Sequence, residues 1–168
     1  PAVLPMSPNL GRLLGFFVAE GNYNVRPERM RWFVAFTAAD SEVRQCILDD
    51  FARVFRHSTH HIVNEKDAHR GTQIFFTSKL ACALFEHVFA IGNGAAQKCL
   101  PQGVFDWPQE TLRAFLSGLL SGDGTISVDG TVAYSTVSPR LAQEVSYLLH
   151  AIGVPVRFKI SPKEAGAH

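Results

Sequence analysis

Residues 13–21 read Leu-Leu-Gly-Phe-Phe-Val-Ala-Glu-Gly, an apolar stretch closed by one carboxylate and a glycine. Residues 116–124 echo it as Leu-Ser-Gly-Leu-Leu-Ser-Gly-Asp-Gly. Each copy predicts a buried helix with small residues at its third and seventh positions, Gly15 and Ala19 in the first, Gly118 and Gly122 in the second. Small residues four apart make a flat stripe on which two helices can pack closely. The glycine after each acid suits a C-terminal cap at positive φ. After Gly21 the period drops to two. Met30, Trp32, Val34 and Phe36 alternate with Arg29, Arg31, Phe33, Ala35 and Thr37, which predicts a half-buried strand. A strand over 22–26 precedes it across a Pro27-Glu28 turn.

The rest of the chain follows the same grammar. Ser7-Pro8-Asn9 is a start signal for the first helix, and Asp40-Ser41 caps another over 42–55, with Val43, Ile47, Leu48 and Phe51 on one side. Residues 57–65 and 72–77 predict a second hairpin, and 78–89 a helix with Leu80, Leu84, Phe85 and Val88 inward. Gly92-Asn93-Gly94-Ala95-Ala96 reads as a linker leading to the second motif helix, opened by Gln109-Glu110. A hairpin over 125–129 and 131–136 turns at Asp129-Gly130. Ser138-Pro139 starts a helix over 140–152 with Leu141, Val145, Leu148 and Leu149 apolar, and Gly153 ends it. Residues 154–160 predict a strand, with Val156, Phe158 and Ile160 inward and Arg157 and Lys159 outward. The expected organisation is a first lobe over 1–91, a linker over 92–110 and a second, incomplete lobe over 111–168.

Composition changes this picture little. The 168 residues suit one compact domain or two small lobes sharing a core, and a formal charge of +1 says little about nucleic acid. No apolar run is long enough to span a bilayer and no signal-peptide pattern stands out, so a soluble protein of the cytoplasm or an organelle matrix is expected. Cys46, Cys82 and Cys99 match no zinc spacing and read as free thiols. His57, His60, His61 and His69 lack the helical spacing and acidic or thiol partners of a metal site.

The chemistry lies in the acids. A carboxylate at a helix C-terminus faces the negative end of the helix dipole, where a cation is favoured. If the two motif helices pack together, Glu20 and Asp123 converge, and two such carboxylates call for an oxygen-loving divalent cation. On the first hairpin, Asn24, Arg26, Arg29 and Arg31 are placed on one face. A two-stranded ribbon fits the DNA major groove, where arginine reads guanine edges or grips phosphate. A solvated sheet face explains the same residues equally well.

The paired nonapeptides closely resemble the motif of the LAGLIDADG family of homing endonucleases, found in introns and inteins, with relatives that act as RNA maturases. The element order and Tyr134-Ser135-Thr136-Val137-Ser138 extend the resemblance over nearly all of residues 9–160. It implies an α+β fold with a pseudo-two-fold αββαββ repeat, the motif helices at the lobe interface and a β-sheet saddle for DNA. The second lobe is then truncated, short of a strand and a helix after Ser161-Pro162, and the protein is a monomer unless a partner chain completes it.

The implied activity is hydrolysis of both strands of a long double-stranded DNA site with Mg²⁺, Mn²⁺ substituting and Ca²⁺ binding without turnover. Glu20 and Asp123 are then metal ligands, each with a main-chain carbonyl, of Ala19 or Gly122. Lys98-Cys99-Leu100-Pro101 resembles the Lys-x-Ile-Pro stretch that supplies a catalytic lysine in inteins of the family, although an exposed linker lysine fits as well. Asn24, Arg26, Arg29, Arg31 and Gln73 are the expected DNA contacts of the first lobe, and Ser127, Thr131, Arg157 and Lys159 those of the second. Relatives carry a polar residue where Ala38 stands, whereas its counterpart Thr136 is polar. An RNA maturase or a non-cleaving DNA-binding relic remain alternatives, as does a piece of an intein; Pro1 and Ala167-His168 lack the residues that splicing needs.

Overall fold

The computed structural model describes residues 4–56, 60–64 and 71–160. Helix α1 (Pro8–Glu20) begins as its sequence directs: Ser7 accepts from the Leu10 N–H at 3.3 Å and Pro8 occupies the first turn. Strand β1 (Gly21–Arg26) leaves it without an intervening loop, and β2 (Arg31–Ala38) returns antiparallel. Helix α2 (Ser41–Phe55) is capped by Asp40, whose carboxylate accepts from the Glu42 and Val43 N–H groups. Strands β3 (His60–Asn64) and β4 (Thr72–Thr77) complete a four-stranded sheet of order β1-β2-β4-β3, antiparallel throughout. The predicted turn between β3 and β4 lies outside the described residues.

One hydrophobic core joins both lobes. The sheet contributes Val34, Phe36, Ile74 and Phe76, α1 contributes Leu10 to Val18, and Ile47 and Phe51 close it from α2. Each fully buried aromatic or aliphatic side chain there stabilises the fold by ~1.5–3 kcal/mol. The second motif helix α4 (Gln109–Asp123) adds Leu112, Phe115, Leu116 and Leu119, and α5 (Pro139–Ala151) adds Leu141, Val145 and Leu148. Between α4 and α5 lies a small hairpin, β5 (Gly124–Ile126) and β6 (Val132–Tyr134).

Several expectations need correction. Gly21 and Gly124 do not take positive φ; both are extended, at φ −97° and −87°, because each is also the first residue of a strand. Glycine is required there for space, since a Cβ on Gly21 would strike Phe17 and one on Gly124 the Leu120 carbonyl. Met30 is no inward strand residue. It closes a 3-10 turn (Pro27–Arg29) in the left-handed region at φ 49° and is 80% exposed.

The helix expected over 78–89 is α3 (Lys79–Ala83) followed by a π-helical turn, Leu84–Val88. Leu80, in the α-helical part, faces solvent while Ala81 and Cys82 are buried; the π turn winds more residues per revolution, so Val88 also faces solvent while Phe85 and Phe89 are buried. Residues 154–160 form no strand. The Val154 N–H donates to the Leu149 carbonyl and so closes α5, Pro155 has no N–H to offer, and no described strand lies alongside. Its supposed inward residues Phe158 and Ile160 are exposed accordingly.

Candidate functional site

The site forms where α1 and α4 end. The two helices cross so closely that a Cβ on Gly15 would collide with the Phe115 carbonyl and one on Gly118 with the Arg12 carbonyl. Further along, Gly122 faces the Ala19 side chain. This approach brings Glu20 and Asp123, one from each repeat, within hydrogen-bonding reach of each other. Loss of hydration, then the Asp123 charge, pushes the Glu20 carboxyl up. Burial likewise pushes Asp123 up, while its hydrogen bond with Glu20 and the nearby Lys98 charge act in the opposite direction.

Lys98 is the third member. It is 3% exposed, so the reading of it as an exposed linker lysine fails. Its Nζ donates to the Phe17 carbonyl at 2.6 Å and the Gly21 carbonyl at 2.7 Å, and lies 3.9 Å from the centre of the Phe17 ring. Burial pushes its ammonium down to about 7, with Asp123 and Glu20 acting against that shift. The surrounding segment is a strap rather than a free linker. The Ser138 hydroxyl donates to the Lys98 carbonyl at 2.7 Å, and the Leu100 N–H donates to Glu144 Oε2 at 2.7 Å. Asn93 holds the other end, exchanging hydrogen bonds with the Tyr23 backbone on the open edge of β1.

Beside Asp123, the Tyr134 hydroxyl is buried with no partner at good hydrogen-bond geometry; burial and then the Asp123 charge push its pKa up, and the nearby Thr136 side chain acts against that shift. A buried hydroxyl with hydrogen-bonding capacity to spare next to two carboxylates is a place for ordered water. The donors available are hard oxygens, and no cluster of three or more His, Cys, Asp or Glu occurs among the described residues. Two carboxylates with water completing the shell suit Mg²⁺ or Mn²⁺ better than zinc. Ala38 is buried at the end of β2, and the Thr136 hydroxyl accepts from the Ser138 N–H at 3.2 Å.

The outward face of the large sheet carries Asn24, Arg26, Arg31 and Gln73, in agreement with the alternation, since Arg26 pairs directly with Arg31. Asn24 Oδ1 accepts from Arg26 Nε at 3.1 Å, which orients that guanidinium. Arg29 stands in the turn at the tip of the hairpin. The same face bears aromatic rings: Phe33 packs against Phe75, and His61 stacks on Phe75. Of these, strand alternation placed Phe33 outward, and pairing of β3 with β4 was needed to add the other two. In the second lobe, Ser127 and Thr131 lie exposed at the β5–β6 turn, where Gly130 N–H donates to the Ser127 carbonyl. Arg157 and Lys159 are exposed on an irregular segment, apart from any sheet face. Tyr134, Ser138 and Asn93 join the site only through the tertiary structure. Tyr134 and Ser138 belong to the stretch that resembles the family's second lobe, whereas nothing in the sequence marked Asn93.

Cys46, Cys82 and Cys99 are free, as their spacing suggested, and burial pushes the Cys82 thiol up to about 11. No described helix is long and apolar enough to cross a membrane.

Comparison with known proteins bears on this architecture. Residues 110–168 match the LAGLIDADG-like domain family. A DNA polymerase of Thermococcus hydrothermalis is 27% identical over 99% of this chain, which covers 10% of that protein. The ATP-dependent DNA helicase Hel308 of Thermococcus kodakarensis is 27% identical over 91% of the chain and 14% of its own length. The chain thus spans about a tenth to a seventh of these relatives. Among solved structures, I-DmoI in complex with DNA and Mn superposes with a TM-score of 0.70 at 14% identity, covering 95% of this chain and 85% of that one. The N-terminal LAGLIDADG domain of DUF199/WhiA superposes at 0.56, with 14% identity over 90% of this chain and 69% of that one.

Proposed function

The chain belongs to the LAGLIDADG family, and we propose that it is a divalent-metal-dependent endonuclease that cuts both strands of a long double-stranded DNA site. The observation that carries this reading is the meeting of Glu20 and Asp123 at the crossed ends of the two repeated helices, with Lys98 buried alongside. One acid comes from each repeat, and a cut on each of two antiparallel strands requires two acids related by an approximate two-fold.

Glu20 and Asp123 would hold the cation, with water completing its shell and the main-chain carbonyls of Ala19 and Gly122 as further candidate ligands. Bound there, a Mg²⁺ or Mn²⁺ ion would acidify its water and stabilise charge on the scissile phosphate. The acids contribute the negative charge that holds such an ion, and their mutual repulsion is relieved when it binds. Lys98, poised near neutrality at the helix end, can carry a proton or a positive charge beside the reacting phosphate. The outward sheet face, with Asn24, Arg26, Arg31 and Gln73, positions the duplex through phosphates and base edges, Arg29 reaching from the hairpin tip. Exposed Ser127, Thr131, Arg157 and Lys159 are the corresponding second-lobe contacts.

Two further points support the reading. The homing endonuclease I-DmoI shares the fold and has been captured with DNA and Mn. The similarity to short stretches of a polymerase and a helicase suits a nuclease domain carried within a host protein, as in an intein. A maturase or a non-cleaving relic on the same fold leaves the paired acids without a task.

The test is cleavage of a randomised double-stranded DNA library with Mg²⁺, beside Ca²⁺ and an Asp123→Asn control. Discrete Mg²⁺-dependent products, absent with Ca²⁺ and in the variant, are expected. Selective binding with no cut in any metal would overturn the nuclease reading in favour of a binding module.

A further inference from the structure

The outward face of the four-stranded sheet is not uniformly polar. Phe33 on β2, Phe75 on β4 and His61 on β3 form a continuous aromatic row across three strands. The Phe33 and Phe75 centroids are 5.5 Å apart with rings at 73°, and His61 stacks on Phe75 at 5.0 Å and 11°. Ala35, directly opposite Phe75 on the same outward face, is only 1% exposed, so the row covers the sheet beneath it. The core is on the other side, with Val34, Phe36, Ile74 and Phe76 all fully buried. Burying hydrophobic groups for stability therefore does not account for Phe33 and Phe75 facing outward. Polar residues frame the row, with Asn24, Arg26 and Arg31 toward β1 and Gln73 two residues from Phe75.

We infer that this row is a specificity element that reads thymine C5-methyl groups in the major groove of the first half of the DNA site. The inference rests on the DNA-binding reading above and adds a chemical identity to one patch of it. The major groove presents the thymine methyl as its one apolar marker, and phenylalanine is among the side chains that contact it. The framing residues supply the hydrogen bonds and charge that seat such a surface on a duplex. Base stacking of the kind used on single strands needs open ring faces. Here Phe75 has one face taken by His61 and packs against Phe33, which favours methyl contact over stacking.

The experiment selects binders from a randomised duplex library with Ca²⁺, then measures the selected duplex with thymine replaced by uracil, one position at a time. Uracil lacks only the methyl and keeps every Watson–Crick contact. Removing a buried methyl weakens binding by ~0.8 kcal/mol, roughly fourfold at each position the row reads. One or more adjacent thymines in a single half-site should show that loss in the wild type, and Phe75→Ala should bind thymine and uracil duplexes alike. Should Phe75→Ala fail to fold, Phe33→Ala makes the same comparison, and a folded variant that keeps the full thymine preference overturns the assignment to this row. Tight selective binding that is indifferent to uracil at every position would overturn the inference and leave the DNA reading standing. Failure to select any duplex would overturn the DNA reading itself, and preference for single-stranded RNA would overturn both.

Discussion

The Lys98 ammonium lies 2.6 Å from the Phe17 carbonyl and 2.7 Å from the Gly21 carbonyl, and so caps the first motif helix from a segment nearly eighty residues downstream. The negative end of that helix is thereby matched by a cation of the chain itself. Glu20 and Asp123 sit close enough to feel the same charge.

Lys98→Met should reveal that arrangement through pH. In the folded protein the ammonium loses its proton at about 7, against ~10.4 in an unfolded chain. Between those values the unfolded chain binds more protons, so wild-type stability gains from this group as pH rises. The stability of the wild type relative to Lys98→Met should therefore increase from pH 7 to pH 9, by up to ~1.4 kcal/mol per pH unit. Denaturant titrations at several pH values check this; a difference that stays flat would mean that Lys98 remains charged throughout.

The acidic pair runs the other way. Both carboxyls are pushed up in the folded state, so the metal-free fold gains from them while they are protonated and loses that gain as pH rises through their folded pKa values. Asp123→Asn should raise the Tm of the metal-free protein at pH 7, and Glu20→Gln should do so by less, because Glu20 is exposed and solvent screens its charge. The advantage should vanish near pH 4 and shrink when Mg²⁺ is added to the wild type. Calorimetry with and without EDTA measures it, while cleavage is lost in both variants.

Close packing of the motif helices predicts intolerance at two glycines. Gly15→Ala and Gly118→Ala each place a methyl against backbone of the opposite helix, which cannot swing aside as a side chain can. A cost of ~1–3 kcal/mol or more is expected for each. Unfolding in urea reads it, and a neutral result would show that the helices separate easily.

Asp50 anchors α2 to α1. Its fully buried carboxylate accepts from Arg12 Nε at 2.6 Å, Arg12 Nη2 at 2.8 Å and Asn9 Nδ2 at 2.6 Å. Arg12→Met leaves that charge in the core with one partner fewer and should cost ~3–5 kcal/mol. Asp50→Asn, which keeps the shape, should cost less. Equal losses in the two variants would point to packing rather than charge.

On the sheet face, Arg26→Ala and Arg31→Ala should each lower the salt dependence of DNA binding by about one unit of log–log slope if they grip phosphate. An unchanged slope with altered sequence preference would assign them to base edges instead. Fluorescence anisotropy across a salt series distinguishes the two.

Local signals in the chain are legible without the fold. Ser7-Pro8, Asp40-Ser41 and Ser138-Pro139 begin helices because their side-chain oxygens satisfy N–H groups two or three residues away, an interaction contained within one turn. Strand alternation around Val34 and Phe36 likewise needs no distant information. The π-helical turn after Ala83 escaped because it leaves the apolar count unchanged while shifting which residues face the core. The burial of Lys98 was equally illegible, since a lysine two residues before a leucine looks like any exposed one until α1 is packed beside it.

The sequence by itself determined the doubled helix, the acid at the end of each copy and the outward set Asn24, Arg26 and Arg31. Periodicity and capping are short-range, and a repeated motif is visible whatever it packs against. Only the tertiary structure decided that Gly15 and Gly118 interlock, that Glu20 and Asp123 share a proton-sensitive site with Lys98, and that Phe33, Phe75 and His61 join across three strands. Those relationships arise between residues far apart in the chain. They exist only once backbone contact and strand register have been chosen, and no local rule contains either.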